Sequence, residues 1–167
     1  KIKKIKIDYP RSTVALPGTV GGPCLTKDSH ILVESVKKKL KLPIISSARQ
    51  TNEKLTLEVL KMLKRKINKK IHNILLCGIA FKGIPATSDI RGSLATDVVK
   101  QINKLYKQAN VDILDKYVSS SDAKKVSLNS KLYKNFYHIN EKYQLVIILN
   151  NSPYWKKIGY KKISQKL

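Results

Sequence analysis

Cysteine is the residue in this chain best suited to attack carbon, and its two copies sit in different surroundings. Cys24 ends "PGTVGGPC" and is followed at once by "LTKD". Gly18, Gly21 and Gly22 permit positive φ and close backbone approach to a ligand, while Pro17 and Pro23 stiffen the loop on either side. Such a loop can press its amides against phosphates or a sugar. Cys24 is expected just before a helix, where the positive end of the dipole and nearby Lys27 favour the thiolate, the nucleophilic form. The bland alternative is a small filler at a turn; the flanking glycines, lysine and acid weigh toward chemistry. Asp28, in the first turn, can also serve as a helix-capping acid. Cys77, inside "ILLCG", reads as buried core. His30, His72 and His138 are dispersed and form no metal-ligand spacing with either cysteine, so no metal site is expected.

A second polar cluster, Lys82 to Arg91, follows an apolar run. "HNILLCGIAFKG" stops at glycine and reads as a buried strand entering a loop. Lys82 and Arg91 taken singly would be solvated loop charges; their place at the carboxyl edge of a strand, where such sheets bind ligands, favours function.

The elements that must position these groups follow from periodicity. "SHILVESVKKKLKL" carries apolar residues at helical spacing until Pro43. A longer helix is expected from Ser46 to about Lys70, with Leu55, Leu57, Val59, Leu60, Met62, Leu63 and Ile67 covering more than one narrow stripe. So broad a surface calls for a partner on two sides, as in a spine helix. Ser93 can cap a helix through Leu94, Val98, Val99, Ile102 and Leu105. "VDILD" is a second strand, "SSDAKKV" a short helix and "YQLVIILNN" a third strand, before a helical or loop tail around Trp155. The fold class is therefore α/β: a long central helix packed between lobes or, as a dimerisation helix, against a second subunit, then a doubly wound, Rossmann-like parallel-sheet lobe with helices on both faces. The fingerprint G-x-G-x-x-G is absent after the first strand. The expected division is 1–70, the cysteine loop and helical dimerisation region, and 71–167, a nucleotide-binding lobe.

Bulk composition sets outer bounds. The 167 residues, 42% hydrophobic with eight tyrosines, suit one ordinary domain plus an extra element. No apolar run is long enough to cross a bilayer. The lysine- and isoleucine-alternating start lacks a signal peptide's core and an initiator methionine, so the chain reads as an excised piece of a longer cytoplasmic protein with reduced thiols. A net charge of +23 raises nucleic acid as a ligand. The even spread of lysine, the scarcity of arginine and the lack of a binding motif disfavour it; most lysines then form a solvated surface, with nucleotide phosphates still open as an acidic ligand.

"PGTVGGPCLTKD" resembles the active-site cysteine motif of the UDP-glucose/GDP-mannose dehydrogenase family. "GIAFKGIPATSDIRGS" is similar to the family's second motif, a Phe-Lys pair followed by Thr, Asp, Arg and Ser. The two stand in family order across a long helix, and weaker similarity continues through "VDILDKYV" and "LVIILNNSPYW". Gly-Gly-Pro-Cys with Phe-Lys-Gly-x-Pro resembles a branch of nucleotide-sugar dehydrogenases, some acting on UDP-N-acetylhexosamines. The resemblance implies an NAD-dependent oxidoreductase of polysaccharide biosynthesis that oxidises a sugar C6 alcohol to a carboxylate. Cys24 would form a thiohemiacetal and then a thioester, which water hydrolyses. By the same resemblance Asp28 orients or activates that water, Lys27 and Arg91 meet NAD, and Phe81 and Lys82 meet the nucleotide-sugar. Arg11 stands near the place of the arginine that crosses the family's dimer to the substrate. A UDP-sugar and a homodimer are the implied partners. The family's amino-terminal NAD domain has no counterpart here, so the fragment is expected to be inactive alone. Leu94 in place of a common proline, and Thr19 in place of a glycine, depart from the pattern. The rival reading is a non-catalytic basic module for a nucleotide-sugar or nucleic acid.

Overall fold

The computed structural model describes residues 18–67 and 70–167. Arg11 and Pro17 lie outside them. Helices α1 (Asp28–Val36) and α2 (Pro43–Lys66) come first. They lead into β1 (Asn73–Cys77), α3 (Leu94–Leu105), β2 (Asn110–Leu114), α4 (Ser120–Val126), β3 (Leu132–Tyr133), β4 (Leu145–Ile148), α5 (Pro153–Ile158) and α6 (Tyr160–Ser164).

The four strands form one parallel sheet in the order β3-β2-β1-β4. In register, Leu75 sits between Asp112 and Val146. Strand alternation divides the core into two layers. Ile74 and Leu76 pack with Leu60 of α2, Val98 and Ile102 of α3, and Ala123 of α4. Leu75 and Cys77 face Tyr143, Trp155, Ile158 and Ile163. Both faces of β1 are buried, which explains its unbroken apolar sequence. Because β2 and β3 lie to one side of β1 and β4 to the other, the chain reverses direction across the sheet between β1 and β4. Ligands of open α/β sheets bind outside the carboxyl ends of strands at such a point.

Ser93 caps α3 as expected, accepting from the Ala95 amide at 3.1 Å, and its hydroxyl donates to the Ile79 carbonyl at 2.6 Å. The cap thereby ties the helix start to the loop leaving β1.

Several boundaries differ from expectation. Helix α1 stops at Val36 instead of running to Pro43, its last lysines forming a turn. Pro43 opens α2 at its first position, where the missing N–H costs nothing, so the long helix starts three residues before Ser46; it ends at Lys66. Strand β3, with two residues, is too short to leave a pattern. The tail is two short helices broken at Gly159, whose φ is 86°. Among the described residues no helix is long and apolar enough to cross a membrane.

Candidate functional site

The two sequence motifs meet backbone to backbone. Gly22 donates its N–H to the Gly92 carbonyl at 2.7 Å. Both residues have positive φ, 107° and 61°, which an L side chain rarely adopts. A Cβ on Gly92 would fall 2.7 Å from the Gly22 carbonyl carbon, and one on Gly21 would fall 2.9 Å from the Gly92 oxygen. Gly22 also abuts the Phe81 ring, 3.3 Å from where a Cβ would stand. The tight approach at Gly21 and Gly22 is thus between two loops of this chain, whereas the sequence pattern assigns these glycines to a ligand; Gly18 meets nothing within 4 Å.

From that junction the chain turns into α1. The Cys24 carbonyl accepts from the amides of Lys27 at 3.0 Å and Asp28 at 2.9 Å, and the Thr26 hydroxyl donates to the Gly22 carbonyl at 2.9 Å. Cys24 is exposed at the start of the helix. Lys27 pairs with Asp28 at 2.6 Å, and this hydrogen bond holds the lysine above its ordinary pKa. Arg91 is bound by Asp89, Nε to Oδ1 at 3.0 Å and Nη2 to Oδ2 at 2.7 Å, with its side chain 78% exposed. Arg91 directly precedes Gly92, which abuts Gly22 and Pro23, and Lys27 follows three residues after Cys24. Cys24, Lys27, Asp28 and Arg91 therefore share one neighbourhood.

Phe81 and Lys82 stand on the other side of the junction, on the loop leaving β1. The Lys82 ammonium lies 5.0 Å from the centre of the Phe81 ring. This loop is held within itself and from the ends of β2 and β4. The Phe81 amide donates to the Asp89 carbonyl at 3.0 Å and that of Gly83 to Asn151 Oδ1 at 3.0 Å. Asp115, at the end of β2 and only 4% exposed, accepts from the amides of Ala80 at 3.2 Å, Tyr117 at 2.9 Å and Val118 at 3.2 Å. Asn150, after β4, donates to the Ala80 carbonyl at 3.3 Å and accepts from Trp155 Nε1 at 3.0 Å.

Two hollows flank Lys82. One, of about 380 Å³, opens between the carboxyl ends of β1, β2 and β4 and is lined by Lys82, Lys116, Tyr117, Trp155 and Lys157. The other, of about 270 Å³, lies toward the glycine loop and is lined by Thr19, Gly21, Phe81, Lys82 and Leu94. Both are concave with a lysine in the lining; the larger is mostly apolar, as small-molecule sites commonly are, and the smaller is more polar.

Cys77 is fully buried beneath this edge, and burial together with the Asp115 carboxylate pushes its thiol up to about 12. Iodoacetamide is therefore expected to label Cys24 and spare Cys77 in the native chain. Peptide mapping that found Cys77 labelled first would reverse the assignment of the accessible thiol.

The Asp89 carboxyl is lowered from 3.8 to about 2, chiefly by its hydrogen bond from Arg91. A lowered value means that the folded state favours the charged carboxylate. The loop stability it contributes is present above pH 3.8 and lost as pH falls through about 2. Carboxyl NMR titration of Asp89 should give a midpoint near 2; one at the ordinary 3.8 would show that the pair does not persist in solution.

Sequence reasoning missed Asp115, Asn150 and Asn151, whose side chains hold the backbone of the loop after β1. Their common signal is a polar residue directly after an apolar strand, at "VDILD" and "LVIILNN".

A family model for the UDP binding domain of the UDP-glucose/GDP-mannose dehydrogenase family matches residues 75–167. The UDP-N-acetyl-D-mannosamine dehydrogenase of Methanocaldococcus jannaschii is 30% identical, the alignment covering 92% of this chain and 40% of that protein. Its namesake from Pyrococcus horikoshii is 31% identical over 76% of this chain and 33% of its own length. The chain thus spans 40% or less of these curated relatives. A solved structure of the UDP-D-ManNAc dehydrogenase of P. horikoshii superposes with a TM-score of 0.67 at 26% identity, covering 95% of this chain and 35% of that one. A UDP-glucose dehydrogenase from Pyrobaculum islandicum shares the fold, with a TM-score of 0.64 at 20% identity over 84% of this chain and 32% of that one. With its two loops interlocked at the carboxyl edge of a parallel sheet, this chain belongs to the UDP-glucose/GDP-mannose dehydrogenase family.

Proposed function

We propose that this chain is the carboxy-terminal part of an NAD-dependent dehydrogenase that oxidises the C6 alcohol of a UDP-sugar to a carboxylate in two steps. The observation that carries the reading is the Gly22–Gly92 junction, which puts the Cys24 loop beside the Phe81–Lys82 loop. The names of the relatives support a UDP-N-acetylhexosamine as the substrate class.

In this reading residues 1–70 carry the nucleophile and the dimer helix, and 71–167 carry the nucleotide-sugar lobe. Lys82 neutralises phosphate beside Phe81, and the glycine loop from Gly18 to Gly22 closes over the sugar. The Cys24 sulfur adds to the C6 aldehyde left by the first oxidation, and the carbonyl oxygen takes up a proton. After the second oxidation the same sulfur holds the acyl group as a thioester. Asp28, exposed and meeting Lys27 through one oxygen, orients the water that releases the acid and restores the thiol. NAD, when bound, is the acceptor of two electrons at each oxidation. What this chain offers it is a pair of exposed cations, Lys27 and Arg91, fit to meet a phosphate-bearing group. Arg11 is assigned to the substrate across a dimer formed by α2 in a cytoplasmic protein. NADH production by these 167 residues alone would overturn the expected inactivity, since hydride transfer needs the nicotinamide held against C6.

Calorimetric titration with UDP and a UDP-N-acetylhexosamine at moderate salt tests the binding. Saturable binding lost in Lys82→Ala supports the reading. Absence of nucleotide binding, with tight sequence-blind DNA binding that weakens steeply with salt, would favour the basic-module alternative.

A further inference from the structure

The helix α2 reaches the cysteine loop through one side chain. Asn52 Oδ1 accepts from the Val20 amide at 2.8 Å, and Asn52 Nδ2 donates to the Val20 carbonyl at 2.9 Å. Both hydrogen-bonding groups of one backbone residue are taken by both ends of one amide, across 32 positions of sequence. The next two residues, Gly21 and Gly22, dock on Gly92, and Cys24 follows. The loop is thus anchored to α2 at Val20 and to the sheet lobe at Gly22, with the exposed cysteine two residues beyond the second anchor.

The face that delivers Asn52 is built for this. Arg49, Asn52, Glu53 and Thr56 follow one another at i, i+3, i+4 and i+7 and line, with Thr19 and Val20, a small hollow under the loop. Thr56 is buried there, and Arg49 pairs with Glu53 at 3.1 Å. His30 of α1 also meets Glu53, at 3.2 Å. This polar stripe faces the Cys24 loop, where Thr19, Val20 and Gly21 line the same hollow.

We infer that Asn52 is a positioning residue for Cys24: it fixes the loop to α2, so the placement of that helix against the sheet lobe sets where the thiol stands. This rests on the reading of Cys24 as the nucleophile, but its geometry does not depend on which sugar is oxidised. An asparagine is suited to the task because it alone of the small side chains presents one donor and one acceptor side by side, matching a backbone N–H and C=O. Aspartate would keep the acceptor and set a carboxylate oxygen against the Val20 carbonyl.

The test compares Asn52→Ala and Asn52→Asp with the unmodified 167-residue chain. Three quantities are read: the iodoacetamide labelling rate of Cys24, amide hydrogen exchange at Val20 and Gly22, and the thermal midpoint. Losing the two bonds should change the Cys24 rate and speed exchange at both amides by roughly fivefold or more, the factor that corresponds to about 1 kcal/mol. The thermal midpoint should shift little, Cys77 should stay unlabelled, and Asn52→Asp should fall between the other two at the Val20 amide. A Cys24 rate unchanged in Asn52→Ala overturns the inference. So does a change that Cys77 labelling and the thermal midpoint follow in parallel, since that is general loosening. Failure of nucleotide binding with the Asn52 response intact would remove the proposed function and leave the positioning role standing.

Discussion

Leu60→Asp is expected to abolish folding at neutral pH, whereas Met62→Asp, two residues further along α2, is expected to leave the chain folded and to remove its self-association. Leu60 is 3% exposed and packs with Ile74, Val98 and Ile102 in the core shared with the sheet. An unpaired carboxylate there costs about 3–5 kcal/mol before the lost apolar contacts are added, against a total stability of about 5–15 kcal/mol for a small domain. Met62 is 46% exposed, and Leu40, Ile44 and Val59 are exposed at 57%, 84% and 41%. The proposed homodimer would cover part of these exposed side chains, Val59 and Met62 on α2 among them. Repulsion between two copies at +23 opposes assembly. Charges beyond about 10 Å are screened at 0.1 M salt, so buried apolar area should prevail. Circular dichroism and light scattering at moderate salt read the two variants. A dimeric Met62→Asp chain would move the interface elsewhere, and a monomeric unmodified chain would assign the face to another occupant.

This pair of variants also shows where sequence periodicity stops. The wide apolar surface of α2 was legible, but not which side of it belongs to the chain's own core. Leu60 and Met62 look alike in the sequence; they differ because Leu60 lies on the side of α2 that packs into the core with α3 and the sheet, whereas Met62 is left exposed. The parallel sheet was legible for a similar reason in reverse. Strands buried on both faces, such as "ILLC", have no alternation to misread. Strand β3 had no such signal, because two residues carry no period.

The site was legible where chemistry requires a residue type and illegible where only geometry does. Cys24, Lys82 and Arg91 announce themselves by reactivity or charge beside glycines. That Gly22 pairs with Gly92, rather than leaving its amide free, depends on a contact across 70 positions. That Arg91 is tied to Asp89 depends on a turn in which the arginine's own amide also donates to that carboxylate, at 2.9 Å. Asn52 was hidden because a polar residue on a helix is by default solvated, and only the fold puts Val20 opposite it.

Asp115→Ala should destabilise the lobe more than any other single polar truncation at the candidate site, and should carry the Phe81–Lys82 loop with it. Its carboxylate accepts three backbone amides, from Ala80, Tyr117 and Val118. The position is 4% exposed, so water cannot readily take its place. Each buried donor left without a partner costs about 1–3 kcal/mol, giving a loss of roughly 3–9 kcal/mol for the three. Asp115→Asn retains one oxygen of similar reach and swaps the other for an NH₂ that faces donors, so about half of that loss is expected. The Ala80 amide is the one that bears on the proposed function, since it directly precedes Phe81 and Lys82. In Asp115→Asn, if still folded, nucleotide binding should weaken while Cys24 labelling stays near that of the unmodified chain, because the Cys24 loop is anchored at Gly92 and Asn52 instead. Urea unfolding gives the stabilities and calorimetric titration with UDP the affinities. A Asp115→Ala chain within about 1 kcal/mol of the parent would mean that these three bonds are replaced by water at little cost. Undiminished UDP binding in Asp115→Asn would mean that the loop is held in place by Asn150 and Asn151 alone.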